Sequence, residues 1–389
     1  MILKSILDND LYKFTMQHAV ISLFPRAKVK YKFINRGNTK FPDGFDIALK
    51  QEIEQMANLK LSEKEKNYFQ KAAYYLPPTY FDFLYGYRYN PNEVKISLKN
   101  GKLDIEIEGY WYRTILWEVP LMAIISELYF KFINAKTYPK EKIIDIAKEK
   151  AELYKKLNIK VADFGTRRRF SLDNHDLIIQ TLKKYGPPAF VGTSNVYFAY
   201  KYNLTPIGTH AHEWFMFHAA KFGYKMANKL ALENWVKVYR GDLGIALSDT
   251  FTSQAFFRAF DTKLAKLFDG VRQDSGDPIK FANKTIEHYK KLGIDPKSKV
   301  IIFSDALTPA KVKEIVEFCK GKIKLSFGIG TNFTNDVGVE PLNIVIKMIE
   351  AKPEGWDWIP VVKLSDAQGK YTGDKHIINM VKEILQIND

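Results

Sequence analysis

Four short polar runs in this chain carry side chains suited to anions. Gly328-Ile329-Gly330-Thr331 follows the apolar stretch KIKLSF. Glycines let backbone N–H groups approach an anion closely and a threonine hydroxyl adds a donor, so the run suits a phosphate as well as a plain turn. Arg272-Gln273-Asp274-Ser275-Gly276-Asp277 puts a guanidinium and two carboxylates on one loop. The carboxylates suit ribose hydroxyls or Mg²⁺. The guanidinium suits a carboxylate or phosphate gripped by two parallel bonds. The plainer alternative is a capped turn before a helix at Lys280. Thr209-His210-Ala211-His212-Glu213-Trp214 is the densest polar run. It admits a metal-binding pair, a structural histidine, or an imidazole, partly neutral near pH 7, that acts as a nucleophile or faces a phosphate. Arg167-Arg168-Arg169 follows Asp163-Phe164-Gly165-Thr166. Three arginines at a strand end are costly unless they meet anions or stay solvated.

These runs need elements to position them. Residues 8–24 have helical spacing (Leu11, Phe14, His18, Ile21), with Asp8 as the expected cap and Pro25 as the stop. Ala27, Val29, Tyr31 and Phe33 alternate with Lys28, Lys30 and Lys32, which predicts a half-buried strand. Residues 93–108 predict a hairpin about Asn100-Gly101, a pair that tolerates the positive φ angles of a tight turn. From about residue 160 short apolar segments alternate with amphipathic helices. They lie at 161–165, 190–193, 206–209, 244–247, 270–272, 300–304, 323–328 and 342–346. Nearly every one runs into polar or glycine residues: FGTRRR, GTS, GTHAHE, SDT, RQDSGD, SDA, GIGT. Chemistry gathered after successive strands predicts an α/β fold with an irregular, TIM-like β/α barrel rather than an open doubly wound sheet. Residues 359–364, IPVVKL, predict one more strand outside the barrel. The expected division is an N-terminal α+β domain over 1–120, a catalytic barrel over 121–350, and a segment over 351–389 that returns to the N-terminal domain.

Composition narrows the class. Hydrophobic residues make up 46% and aromatics 14% of the 389 residues, so the chain is globular. Its one cysteine, Cys319, allows no internal disulfide and fits a reducing compartment. Lys4, Asp8 and Asp10 interrupt the N-terminus before a leader-like apolar run forms. No uncharged run reaches the ~18–20 residues that span a bilayer. A soluble, cytoplasmic protein without a membrane partner is expected. The net charge of +15 suits nucleic acid or small anions. The lysines are mostly dispersed along helices such as Lys140–Lys156 among acidic residues, and no basic–aromatic platform is visible, so small anions are favoured.

Taken in order, the segments LDNDLYKFTM, EGYWYRTILWEVPLMAIISELY, DFGTRRRFS, FVGTSNV, PIGTHAHEWFMFH, GIALSDTF, GVRQDSGDP, FSDAL, LSFGIGT and PLNIVIKM resemble the nicotinate phosphoribosyltransferase family over essentially the whole chain. The departures are Asn9 for the usual threonine and His210 for the usual glutamine. The resemblance implies a type II phosphoribosyltransferase fold, usually dimeric. It implies transfer from phosphoribosyl pyrophosphate (PRPP) to nicotinate, the first step of NAD synthesis from nicotinate, with Mg²⁺ and coupled ATP hydrolysis through a phosphohistidine. The GTxAHE pattern maps that histidine onto His212. By their chemistry, Asp274 is expected as a catalytic carboxylate that holds the ribose and faces the charge developing at the anomeric carbon, and Glu213 as one that accepts the ring's other N–H. Nicotinate contacts carry over to Tyr12, Thr209 and Arg272, and Phe164 is expected to join them. The family's PRPP phosphate contact carries over to Thr331, and Arg167, Arg168, Ser304, Asp305, Gly328 and Gly330 are expected to bind PRPP with it; the metal ligands stay open. The rivals are a nicotinamide or quinolinate phosphoribosyltransferase, which a substrate panel separates. A barrel hydrolase using His210 and His212 would carry stoichiometric zinc, and a nucleic-acid binder would show steeply salt-dependent retention.

Overall fold

The computed structural model describes residues 1–367 and 370–387. The chain divides into two compact units. One comprises Met1–His18, Lys30–Gly208 and Ile329–Lys347; the other Ala19–Val29, Thr209–Gly328 and Met348–Asp389.

β1 (Lys28–Asn35), which belongs to the first unit from Lys30 on, realises the expected alternation: Val29, Tyr31 and Phe33 are buried and the lysines between them are not. β2 (Val94–Lys99) and β3 (Lys102–Tyr110) form the expected hairpin, Val94 opposite Ile107 and Leu98 opposite Leu103. Asn100 and Gly101 take φ of 51° and 74°, the left-handed values such a turn requires. β3 lies beside β1. β4 (Lys160–Asp163) and β5 (Phe190–Thr193) pair in parallel, and their ends are tied through Asp163. Thr193 Oγ1 donates to Asp163 Oδ2 at 2.6 Å, and the Gly165 N–H donates to Oδ1 at 2.9 Å. The first helix spans Leu11–Leu23. Asp8 does not cap it. Asp8 is buried, and its carboxylate accepts two bonds from the buried Arg169, at 2.7 and 2.8 Å. A buried guanidinium draws a carboxylate more strongly than a solvated helix end does.

In the second unit, β6 (Arg240–Leu243) precedes β7 (Ile245–Leu247), β8 (Gly270–Gln273), β9 (Val300–Phe303) and β10 (Lys324–Ile329). β7, β8, β9 and β10 lie side by side and parallel, in that order. Helices Pro278–Lys291 and Pro309–Cys319 alternate with them, as β/α periodicity requires. Gly270 is a packing necessity, since a Cβ there would stand 2.0 Å from the Val300 carbonyl oxygen. β11 (Ile344–Lys352) follows, and its Glu350 and Ala351 pair antiparallel with β12 (Ile359–Pro360).

Two expected segments differ. Residues 206–209 form no strand; a single parallel bridge joins Thr193 to Pro206. Pro206 has no N–H for a ladder, and Gly208 lies against the Tyr12 backbone, where a Cβ would be 3.1 Å from Tyr12 N. The apolar run at 342–346 opens β11, whose first residues lie beside β1 instead of extending the parallel row. Its buried Ile344, Ile346 and Met348 alternate with half-exposed positions, the pattern of a sheet covered on one face. The lysine-rich helix Lys140–Lys156 is mostly solvated as expected, except that Lys150 is buried and pairs with Asp336 at 2.6 Å. No helix among the described residues is long and apolar enough to cross a membrane.

Helices His212–Phe222 and Tyr224–Tyr239 pack through Trp214 and Trp235, with ring centroids 5.6 Å apart. His218 is locked neutral between them. Its Nδ1–H donates to the Trp214 carbonyl at 2.7 Å, and its Nε2 accepts from Asn234 Nδ2 at 3.0 Å. Burial lowers the imidazole pKa to about 3 for His218 and for His210. The unfolded chain binds these protons below pH ~6.5 whereas the native chain does not until about pH 3, so stability falls as pH drops through that window. Between pH 7.5 and 5.5 the two rings should together remove roughly 2–3 kcal/mol, at ~1.4 kcal/mol per pH unit each once below pH 6.5. Urea denaturation of wild type, His210→Asn and His218→Asn at the two pH values measures their share apart from that of other buried rings. Equal stability in His218→Asn and wild type across that range would show that the native ring takes up its proton freely.

Candidate active site

The polar cluster of the second unit is built from strand ends. β7 delivers Ser248, Asp249 and Thr250; β8 delivers Asp274 and Ser275; β9 delivers Ser304. His212 opens the helix His212–Phe222. Its Nδ1 lies 3.0 Å from Thr250 Oγ1 and its Nε2 3.0 Å from Asp274 Oδ2. The ring nitrogens are therefore taken by Thr250 and Asp274, and the orienting role expected of Glu213 falls to them. The other oxygen of Asp274 accepts from Arg272 Nη2 at 2.8 Å and from Ser304 Oγ at 2.6 Å. Arg272 Nε also donates to Ser304 Oγ, at 2.9 Å. Four expected residues, His212, Asp274, Arg272 and Ser304, thus form one hydrogen-bonded unit.

Charge in this cluster is finely set. Burial, with Lys363 nearby, lowers the His212 pKa to about 4 against the opposing pull of Asp249 and Asp274, so the ring is neutral at physiological pH. Burial alone would raise Asp274; the Arg272 guanidinium and the His212 ring instead hold it well below the usual carboxylate range. His210 is separated from this chemistry. Its Nε2 accepts the Leu247 N–H at 3.1 Å, and the ring is packed between Phe215 and Trp235. Its lone pair is consumed by the backbone, so His210 serves the core.

His212, Asp249 and Asp274 each offer one donor atom, all within 4.8 Å of one another. Asp249 Oδ1 is buried without a hydrogen-bond partner and lies 3.9 Å from His212 Nε2. Two carboxylate oxygens, one of them unsatisfied, fit a hard divalent cation such as Mg²⁺. Nothing in the sequence alone marks Lys363, which sits in the strand-like IPVVKL yet reaches Asp249 Oδ2 at 3.6 Å. The SDT run after β7 signals Asp249 and Thr250 only as one polar strand end among several. Asp305 lies one residue beyond Ser304 and meets Lys370 at 3.4 Å.

The remaining expected anion residues lie in the first unit, where two loops are laced together. The Phe164 N–H donates to the Ile329 carbonyl at 2.8 Å, Thr334 Oγ1 to the Gly165 carbonyl at 2.9 Å, and Asn335 Nδ2 to the Arg168 carbonyl at 2.9 Å. A Cβ on Gly165 would stand 2.3 Å from Thr334 atoms, so only glycine allows this approach. Phe164, Arg167 and Arg168 are thereby brought beside Gly330 and Thr331. Arg167 approaches Glu118 at 3.5 Å, and Glu118 holds the buried Lys13, next to Tyr12, at 2.6 Å. Burial alone would raise Glu118, but Lys13, Lys347 and Arg167 take its pKa down to about 2. Arg169, the third of the arginine run, is structural.

Residues 159–389 match the nicotinate phosphoribosyltransferase (NAPRTase) family, and residues 7–126 match the N-terminal domain of that family. The chain belongs to the nicotinate phosphoribosyltransferase family. It is 57% identical to the nicotinate phosphoribosyltransferase of Chromohalobacter salexigens over 387 residues, covering 99% of each chain. It is 46% identical to that of Methanococcoides burtonii, covering 98% of each. The crystal structure of nicotinate phosphoribosyltransferase from Porphyromonas gingivalis superposes with a TM-score of 0.97 at 48% identity, over 99% of this chain and 100% of that one. The Vibrio cholerae structure gives a TM-score of 0.93 at 36% identity, over 100% and 95%. The α/β architecture is thus that of the family.

Proposed function

We propose that the nicotinate phosphoribosyl transfer that goes with this family is coupled here to ATP hydrolysis through a phosphoryl group on His212. The observation that carries this reading is the neutral His212 ring, held at both nitrogens with two carboxylates beside it. A neutral imidazole attacks the γ-phosphorus of ATP with a ring lone pair as the bond to the β-phosphate oxygen breaks and ADP leaves. The other ring nitrogen keeps its proton, so the phosphorylated ring is cationic, and Asp249 and Asp274 offset that charge. Water later takes the phosphoryl group as phosphate, and the ring returns to neutral.

In the transfer itself the pyridine nitrogen already has a lone pair, so no general base is needed. It bonds to the anomeric carbon of PRPP as the bond from that carbon to pyrophosphate breaks. Arg272, aligned by Asp274 and Ser304, pairs with the nicotinate carboxylate, with Thr209 of the same unit as a further contact. Arg167, Arg168 and the Gly330-Thr331 run of the first unit hold a phosphate of PRPP. Mg²⁺ held by Asp249 and Asp274 would neutralise phosphate charge. Asp274 serves chiefly by orienting His212 and Arg272, since both its oxygens are engaged by them. The parallel strands belong, on this reading, to an irregular barrel within 121–350. We further read the enzyme as a cytoplasmic homodimer, in keeping with its single buried cysteine.

Arg272→Ala should raise the nicotinate KM by about 10- to 100-fold, the worth of a hydrogen bond to a charged group. Equal turnover of nicotinate and nicotinamide by the wild type, measured with PRPP with and without ATP, would refute the carboxylate pairing. Gly330→Val should weaken PRPP binding several-fold while the fold stays intact. A Cβ at Gly330 meets only the Phe164 carbonyl oxygen, at 3.5 Å, whereas a larger side chain obstructs the anion. An unchanged PRPP KM, or a sulfate soak with no anion on this loop, removes the assignment.

A further inference from the structure

The His212 cluster is braced by residues 363–366. The Leu364 N–H donates to the Thr250 carbonyl at 2.9 Å, and Asp366 Oδ1 accepts the Ser253 N–H at 2.8 Å. Gly276 has a φ of +79°, and a Cβ there would stand 2.8 Å from the Cβ of Asp366, so this segment lies directly on the loop after β8. Gln273 Nε2 tightens that loop by donating to the Ser275 carbonyl at 2.8 Å and the Gly276 carbonyl at 3.1 Å.

Ser275 is the junction of the brace. Its Oγ is buried, accepts the Asp366 N–H at 3.1 Å, and gives its single proton to Asp249 Oδ2 at 2.5 Å. Lys363 Nζ approaches the same carboxylate oxygen at 3.6 Å. Both donors therefore converge on Oδ2. The other oxygen, Oδ1, is left buried, without a hydrogen-bond partner, 3.9 Å from His212 Nε2. An unpaired buried carboxylate oxygen is unfavourable, so something must stop the group turning to share its donors. The two bonds through Ser275 Oγ do this, because the hydroxyl is itself oriented by the backbone N–H of Asp366.

We infer that Ser275 is a positioning residue that holds Asp249 with its unpaired oxygen toward His212, ready for the positive charge the ring gains on phosphorylation. Asp366 acts one step further out, through its backbone N–H and through the anchoring of its carboxylate on Ser253. This rests on the phosphohistidine reading above.

The test is rapid-quench labelling of the full chain with γ-³²P-ATP and Mg²⁺, for wild type, Ser275→Ala and Ser275→Cys, alongside the steady-state KM for nicotinate. Ser275→Ala should slow acid-labile labelling by about 10- to 100-fold, the effect of deleting one hydrogen bond to a buried charge. Ser275→Cys keeps the volume and a weak donor, so its rate should fall between the two and provides the comparison if the alanine variant does not fold. The nicotinate KM should stay within about twofold, because Arg272 keeps its own partners. Labelling of both variants at the wild-type rate overturns the inference, as does a rise in nicotinate KM that parallels the lost labelling. Absence of acid-labile label in the wild type overturns instead the phosphohistidine reading on which it stands.

Discussion

His212→Asn is expected to abolish acid-labile ³²P incorporation from γ-labelled ATP and to remove ATP stimulation, leaving slow ATP-independent transfer. The asparagine amide nitrogen has its lone pair delocalised and cannot attack phosphorus, whereas the neutral imidazole can. Burial keeps the native ring neutral, with a pKa of about 4, so the nucleophile needs no prior deprotonation near pH 7. The transfer step uses the lone pair of nicotinate itself, which is why a residual rate should persist. His210→Asn should retain labelling per folded molecule, since the lone pair of His210 is spent on the Leu247 N–H. Labelling that survives in the His212 variant and disappears in the His210 variant would reverse this assignment. Loss of both coupled and uncoupled transfer in His212→Asn would instead place the ring in the transfer step.

Asp8→Ala should cost about 3–5 kcal/mol of stability, because it strands a buried guanidinium without its counterion. Asp8 accepts from Arg169 at 2.7 and 2.8 Å and from Asn195 Nδ2 at 2.7 Å, and neither Asp8 nor Arg169 reaches solvent. Burial raises the Asp8 pKa, but the arginine more than reverses this and the net shift is downward. Equilibrium urea unfolding gives the loss directly. The double variant Asp8→Leu with Arg169→Met should recover part of it, since an apolar pair carries no desolvation penalty. A loss below about 1 kcal/mol in the single variant would mean that water reaches the arginine, contrary to its burial.

Local pattern was legible wherever one face of an element meets the core. The lysine alternation of β1, the Asn100-Gly101 hairpin and the β/α rhythm after residue 160 all follow from side-chain period and turn chemistry. The run at 206–209 misled because it has strand-like composition, yet its proline cannot join a ladder and its glycine is used for close approach to Tyr12. The run at 342–346 is a strand, as its composition says, but composition does not encode which sheet a strand joins.

The chemistry divides in the same way. The ordered motifs alone determined the family, and with it His212, Asp274 and Arg272 as the residues to watch. A motif names residue types in sequence and is silent on which atoms meet. Only the tertiary structure turned Asp8 from a helix cap into the counterion of Arg169, since the two are far apart in the chain and each is stable in the interior only with the other. Only the tertiary structure replaced Glu213 by Thr250 and Asp274 at the His212 ring, and brought Lys363 and Ser275 onto Asp249. A hydrogen bond is set by distances of about 3 Å and by direction. Such geometry arises when strand ends distant in sequence are packed side by side, and no spacing along the chain specifies it.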